Sequence, residues 1–237
     1  PAWETLPHER LSPHPDTVAR RVSAIRALNA ASQHSAPLVI VASVRALIQP
    51  VNPQLPQMPW YRLAPGQTDR SLESWAEVLL ELGYQRVDLV TRRGEFALRG
   101  GILDVFPPLA EHPIRADFFG SELEQLTSFQ VSDQRSLEEL HSPVDIPPTR
   151  EMLLTPDVRQ RAAELVSEFP GVGGMLEKIS EGIAVEGMES LQPLLLGRLG
   201  AMLEFFPEDT RIVELDPARV RSRAVSLVET NREFVEA

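Results

Sequence analysis

The chain has 237 residues, 43 % of them hydrophobic and 24 % charged, which is room for one large globular domain or two smaller ones. It contains no cysteine, which excludes disulfides, thiolate metal sites and cysteine nucleophiles together. Its formal net charge of −11 opposes non-specific binding to nucleic acid, whose affinity comes from neutralising phosphates.

No apolar run reaches the roughly 18 residues of a membrane helix, and no basic–apolar–small pattern at the start marks a signal peptide. The chain opens at Pro1 without a methionine, as expected of a fragment of something longer. Lys178 is the single lysine among 23 basic residues. Basic contacts are therefore planar guanidiniums, suited to bidentate pairing with carboxylates.

In chain order, Asp16 is expected to cap a helix whose Val18, Val22, Ile25 and Leu28 form one face. Leu38 to Ala42 has no polar alternation and predicts a strand covered on both faces. Ser43 caps a short helix that stops near Pro50. Five prolines (Pro50, Pro53, Pro56, Pro59, Pro65) then exclude regular helix and mark a boundary. Ser71 opens a helix with the stripe Leu72, Trp75, Leu79 and Leu82, ended by Gly83.

Three strands are expected next: Arg86 to Thr91, Glu95 to Phe106 broken at Gly100-Gly101, and Ile114 to Phe119. The Pro107 to Pro113 loop joins the last two as a hairpin. Thr155-Pro156 and Asp216-Pro217 are helix starts, with proline in the first helical position. Short helices, a loop over Pro170 to Gly174 and a buried strand over Arg211 to Leu215 lie between them, and a last helix runs toward Ala237. The five histidines (His8, His14, His34, His112, His141) are scattered without metal-ligand spacing.

The chemistry concentrates between Arg92 and Glu139. Alternation along Ile114 to Phe119 puts Ile114, Ala116 and Phe118 on one face and Arg115, Asp117 and Phe119 on the other. Phe119 is either tucked under a neighbouring loop or exposed as an aromatic anchor beside an arginine. Arg99 lies opposite Phe96 and Leu98, just before Gly100-Gly101. By itself it reads more readily as a solvated strand-end charge than as a contact residue. Arg92 and Arg93 are supporting candidates. Glu95, Asp104 and Asp117 are expected to orient these guanidiniums through ion pairs rather than to form a catalytic pair. Asp133 to Glu139 is expected to be the exit from this middle unit, with Arg135 in a structural ion pair.

Three of these segments (Arg92 to Pro108, Ile114 to Gly120, Ser132 to Glu139) resemble the UvrB-like, N-terminal region of bacterial transcription-repair coupling factors. Trp3-Glu4-Thr5-Leu6-Pro7, Ser12-Pro13 and the segment from Gly182-Ile183 to Gly187-Met188-Glu189 extend the resemblance over nearly the whole chain. It implies an α/β architecture: a degenerate helicase-like (RecA/UvrB-type) discontinuous domain, residues 1–62 and 147–237, with an inserted α+β UvrA-binding domain at 63–146. It also implies that the site is Arg99, Arg115 and Phe119, and that the start of the α/β domain lies upstream of Pro1.

The expected function is that of a non-catalytic adaptor recruiting UvrA in transcription-coupled nucleotide excision repair, in the cytoplasm and without a cofactor in this fragment. RNA polymerase and double-stranded DNA would meet other domains of the full-length protein. Its C-terminal domain would mask the UvrA surface. No Gly-x-x-x-x-Gly-Lys-Ser/Thr loop exists, and two tyrosines are few for the damage-probing hairpin of UvrB. The competing expectations are half of an active UvrB-type helicase ATPase, and direct DNA binding through the arginine-rich strands.

Overall fold

The computed structural model describes residues 1–5, 11–31 and 38–236. Leu6, Pro7, His8 and His34 lie outside the described residues. The fold is mixed α/β. Its first helix, α1 (Pro15–Ala31), buries the expected stripe of Val18, Val22, Ile25 and Leu28. The helix begins at Pro15, two residues early, so Asp16 is not its cap. It sits in the first turn, where a carboxylate meets the positive helix end, and pairs with Arg20 at 3.6 Å. Short α2 (Val44–Ile48) is capped by the Ser43 hydroxyl, which accepts from the Ala46 N–H at 3.3 Å.

Strand β1 (Tyr61–Leu63) leads to α3 (Leu72–Glu81), capped by the Ser71 hydroxyl. Gly83 ends that helix with φ +86°, and the Tyr84 N–H returns to the Leu79 carbonyl at 2.9 Å. A Cβ there would also stand 2.9 Å from the Thr149 hydroxyl, so this turn needs glycine twice over. Then follow β2 (Gln85–Arg86), β3 (Glu95–Arg99), β4 (Ile102–Val105), β5 (Ile114–Phe119), β6 (Glu122–Phe129) and β7 (Ser136–Glu139). They form one six-stranded sheet in sequence order, with β2 parallel to β3 and the rest an antiparallel meander. Strand β8 (Val144–Ile146) pairs with β1, Tyr61 facing Ile146, so the chain enters and leaves this unit side by side.

Helix α3 covers one face of the sheet. Trp75, Leu79 and Leu82 pack with Phe96, Leu103, Ala116, Leu123 and Leu126 in its core. After β8 come α4 (Pro156–Leu165), α5 (Gly173–Ser180), α6 (Gln192–Leu195) and α7 (Pro217–Glu236). Thr155 caps α4 as expected, and the Asp216 carboxylate accepts from the Arg219 N–H at 3.2 Å at the head of α7. Helices α4 and α5 share a core of Val158, Ala162, Leu165, Leu176 and Ile179. A further core joins Val18, Val22 and Ile25 to Val51, Leu55 and Met202, so the two ends of the chain pack together.

Polar ties hold the same junction. Arg21 and Glu151 form a fully buried ion pair at 2.5 Å, and the Trp3 indole N–H donates to the same carboxylate at 2.8 Å. The Ser12 hydroxyl donates to Glu189 at 2.6 Å and accepts from the Gly187 N–H at 3.0 Å. Arg150 pairs with Glu189 at 2.7 Å. The early Ser12-Pro13 motif and the late Gly187-Met188-Glu189 motif thus meet in one clasp.

Several expectations fail. Leu38 to Ala42 forms no strand, and Val39 and Val41 are 86 % and 91 % exposed. Arg211 to Leu215 is likewise irregular and exposed. Both runs have the composition of a strand between layers. No strand among the described residues pairs with either run, and Val39, Val41, Val213 and Leu215 stand mostly exposed, so neither lies between layers. Of Arg86 to Thr91, only Arg86 is strand. Pro170–Val172 is a 3-10 turn leading directly into α5, not a loop. Ser136 to Glu139 is a strand of the sheet rather than its exit, which is β8.

Candidate functional site

The second face of the sheet carries the candidate residues. Register lines up Ala97, Asp104, Arg115 and Thr127 across β3 to β6, with Arg99, Ile102, Asp117 and Gln125 in the next row. Ile114, Ala116 and Phe118 turn to the α3 core, and Arg115, Asp117 and Phe119 turn away from it, as alternation requires. A bulge opposite Asp117 and Phe118 lets β6 keep Leu123 and Leu126 in the core while Phe119 faces Glu122. Phe119 is 75 % exposed, so it is not under a loop.

At one end this face is closed by a small apolar cluster of Val90, Ala97, Phe106 and Phe129. The Arg115 guanidinium lies 4.8 Å over the Phe129 ring. Its Nε and Nη2 donate to the two oxygens of Asp104 at 2.7 and 3.0 Å, a bidentate fork. Arg99 donates from Nη2 to the same Asp104 carboxylate. Asp104 is 1 % exposed, Arg115 19 % and Arg99 47 %. The hydrogen bonds that Arg115 donates to Asp104 raise the Arg115 pKa above its ordinary value; partial burial opposes this, and the charges of Asp104 and Asp117 reinforce it.

Arg115 is engaged on its ring face and through three hydrogen bonds, whereas Arg99 makes one and is the more exposed of the two. The open end of the face, near the Gly100-Gly101 and Gly120 turns, therefore presents one half-exposed cation and one exposed aromatic ring. Gly101 fits there because its backbone accepts from the Phe118 N–H at 2.8 Å, and a Cβ would stand 2.8 Å from the Phe118 carbonyl oxygen.

The supporting residues divide. Arg93 lies 5.0 Å over the Phe106 ring and donates to the Ala110 carbonyl at 3.1 Å, at the closed end. Arg92 is exposed in the turn before β3. Asp117 is half-buried in the row of Arg99. Glu95 orients no guanidinium; its carboxylate accepts from the Thr91 and Arg92 N–H groups at 2.8 Å each and caps that turn. Arg135 pairs with Asp133 at 3.7 Å in full solvent, so it is a surface pair.

Sequence reasoning missed two walls of the site. Phe129 is the platform under Arg115. Gln134 holds φ +61° and donates from its side chain to the Val90 and Val131 carbonyls at 3.3 and 2.9 Å, closing the loop beside Arg115. A polar residue in a tight turn, two places after Ser132, was the available signal for the second.

The family model for the UvrB interaction domain matches residues 62–152, the segment that contains all of these side chains. The transcription-repair-coupling factor of Mycobacterium bovis is 47 % identical over 100 % of this chain and 20 % of its own length. That of Myxococcus xanthus is 37 % identical over 81 % of the chain and 16 % of its own length. The Escherichia coli factor is 31 % identical over 95 % of the chain and 20 % of its own length. The chain thus spans about a fifth of the length of these relatives. By identity along its whole length and by the domain it carries, the chain belongs to the transcription-repair-coupling factor family.

Proposed function

We propose that this chain is a non-catalytic adaptor that recruits UvrA in transcription-coupled nucleotide excision repair, with Arg99, Arg115 and Phe119 as its docking site. The observation that carries this reading is Phe119: a large aromatic ring left 75 % exposed at the open end of a sheet face that also carries the half-exposed Arg99 two strands away. Aromatic and arginine anchors dominate the energetics of protein interfaces. The residues form no enzymatic constellation, since Asp104 is spent on two guanidiniums.

Residues 1–62 and 147–237 serve in this proposal as halves of one degenerate helicase-like domain, with 63–146 inserted. The β1–β8 ribbon and the mutual Val51–Gly200 backbone pairing at 2.8 and 2.9 Å support that division. In the full-length cytoplasmic protein, RNA polymerase and double-stranded DNA would be met by other domains, and a C-terminal domain would cover the UvrA surface at rest.

Calorimetric titration of purified UvrA with this chain tests the reading. Phe119→Ala and Arg99→Ala are each expected to cost about 2 kcal/mol or more of binding. Parent-like binding by both variants refutes the site. No nucleotide affinity is expected, and ATP binding by the chain would favour the helicase alternative.

A further inference from the structure

We infer that Asp104 and Arg115 are positioning residues of the UvrA-docking surface: Asp104 is an internal anion that holds Arg99 ready, and Arg115 is the frame that fixes Asp104. The inference rests on the docking reading above and assigns different work to its residues.

The geometry carries it. Asp104 is buried in the middle of β4, flanked in register by Ala97 on one side and Arg115 on the other. A buried carboxylate has to be paired. Its first partner, Arg115, is fixed by the fork, by the Phe129 ring beneath it and by the Gln134 carbonyl at 3.5 Å. These contacts hold that guanidinium in one orientation and leave it less exposed than Arg99. Its second partner, Arg99, has a single hydrogen bond to Asp104 and half its side-chain surface in water.

Asp104 thus spans the two arginines and neutralises the repulsion that would otherwise drive them apart. It leaves the outer N–H groups of Arg99 pointing to solvent in the row next to Phe119. A long side chain held in advance loses less entropy on docking, and a contact built on a supporting shell is more exact than one built on a free surface arginine. The partner chemistry is a carboxylate that meets Arg99 beside an apolar pocket for the Phe119 ring. Arg115 supports that contact from behind.

Binding kinetics of the chain to UvrA separate this from a purely structural role. Asp104→Asn keeps the shape and removes the charge, so the face becomes more positive. Association with an acidic site is then expected to be as fast as in the parent or faster at low salt. Dissociation is expected to be about tenfold faster, because Arg99 is no longer held. Equal dissociation rates for the folded variant and the parent overturn the inference, and so does slower dissociation, which would make Asp104 a competitor of the partner's carboxylate.

Should Asp104→Asn not fold, side-chain nitrogen NMR on the parent decides. Addition of UvrA is expected to shift the Arg99 Nε–H signal and leave that of Arg115 in place. Equal shifts overturn the inference. If the parent does not bind UvrA, the docking reading itself falls; if it binds and Arg99→Ala and Phe119→Ala weaken it while Asp104→Asn does not, only the positioning role falls.

Discussion

A single buried carboxylate decides what the arginines around it can do. From sequence, Arg99 and Arg115 look alike: each sits on a strand, opposite the core face and near a carboxylate. Their exposures separate them, and that difference comes from tertiary partners of Arg115, namely Phe129 and Gln134, more than ten residues away along the chain. Alternation could place Phe119 on the outer face but could not say whether anything lies above it. A second buried polar group gives a test in a different place. Tyr84 is buried, and its hydroxyl donates to the Pro147 carbonyl at 3.0 Å. Burial pushes its pKa well above the ordinary 10.0. The folded state therefore keeps the phenol proton where the unfolded chain loses it. Stability is intact below about pH 10 and falls as pH climbs from there toward the folded value. Tyr84→Phe is expected to lose about 1–2 kcal/mol at neutral pH through the unpaired carbonyl. It should also unfold at higher pH than the parent's decline would suggest, as chemical denaturation across pH 9 to roughly 12 would record.

At the scale of elements, caps and hairpins were readable because their signals are local. Ser43, Ser71 and Thr155 each cap the helix expected of them, and Gly83 ends α3. Thr155→Ala is expected to cost about 1 kcal/mol in urea titration, the usual loss for a hydroxyl N-cap. Gly83→Ala should cost more, since it adds a clash with Thr149 to an unfavourable φ. Strand β6 was not readable. Its core residues Leu123 and Leu126 stand three apart, a helical spacing, because the bulge near Glu124 inserts one residue into the strand. Period-two patterning fails wherever a bulge resets it. The short strands β1, β7 and β8 were missed because three or four residues carry too little pattern.

Across the whole molecule, the ends of the chain are fastened by groups that no local pattern pairs. Arg21 and Glu151 are 130 positions apart, and each is fully enclosed. Glu151→Ala should cost about 3–5 kcal/mol by leaving the guanidinium uncompensated, whereas the double change Arg21→Met with Glu151→Leu should come close to the parent. Thermal unfolding of the three proteins distinguishes the outcomes; equal losses in the single and double variants would show that the ion pair itself supplies the stability. The bare run Leu38-Val39-Ile40-Val41 has a different consequence. Four β-prone side chains, uncharged and free of proline, are the raw material of intermolecular zippers. Concentrated solutions of this chain should therefore turn cloudy with time, and light scattering should follow the clouding. Val39→Lys should keep such solutions clear and leave the sheet face of Arg99, Arg115 and Phe119, built elsewhere on the chain, unaltered.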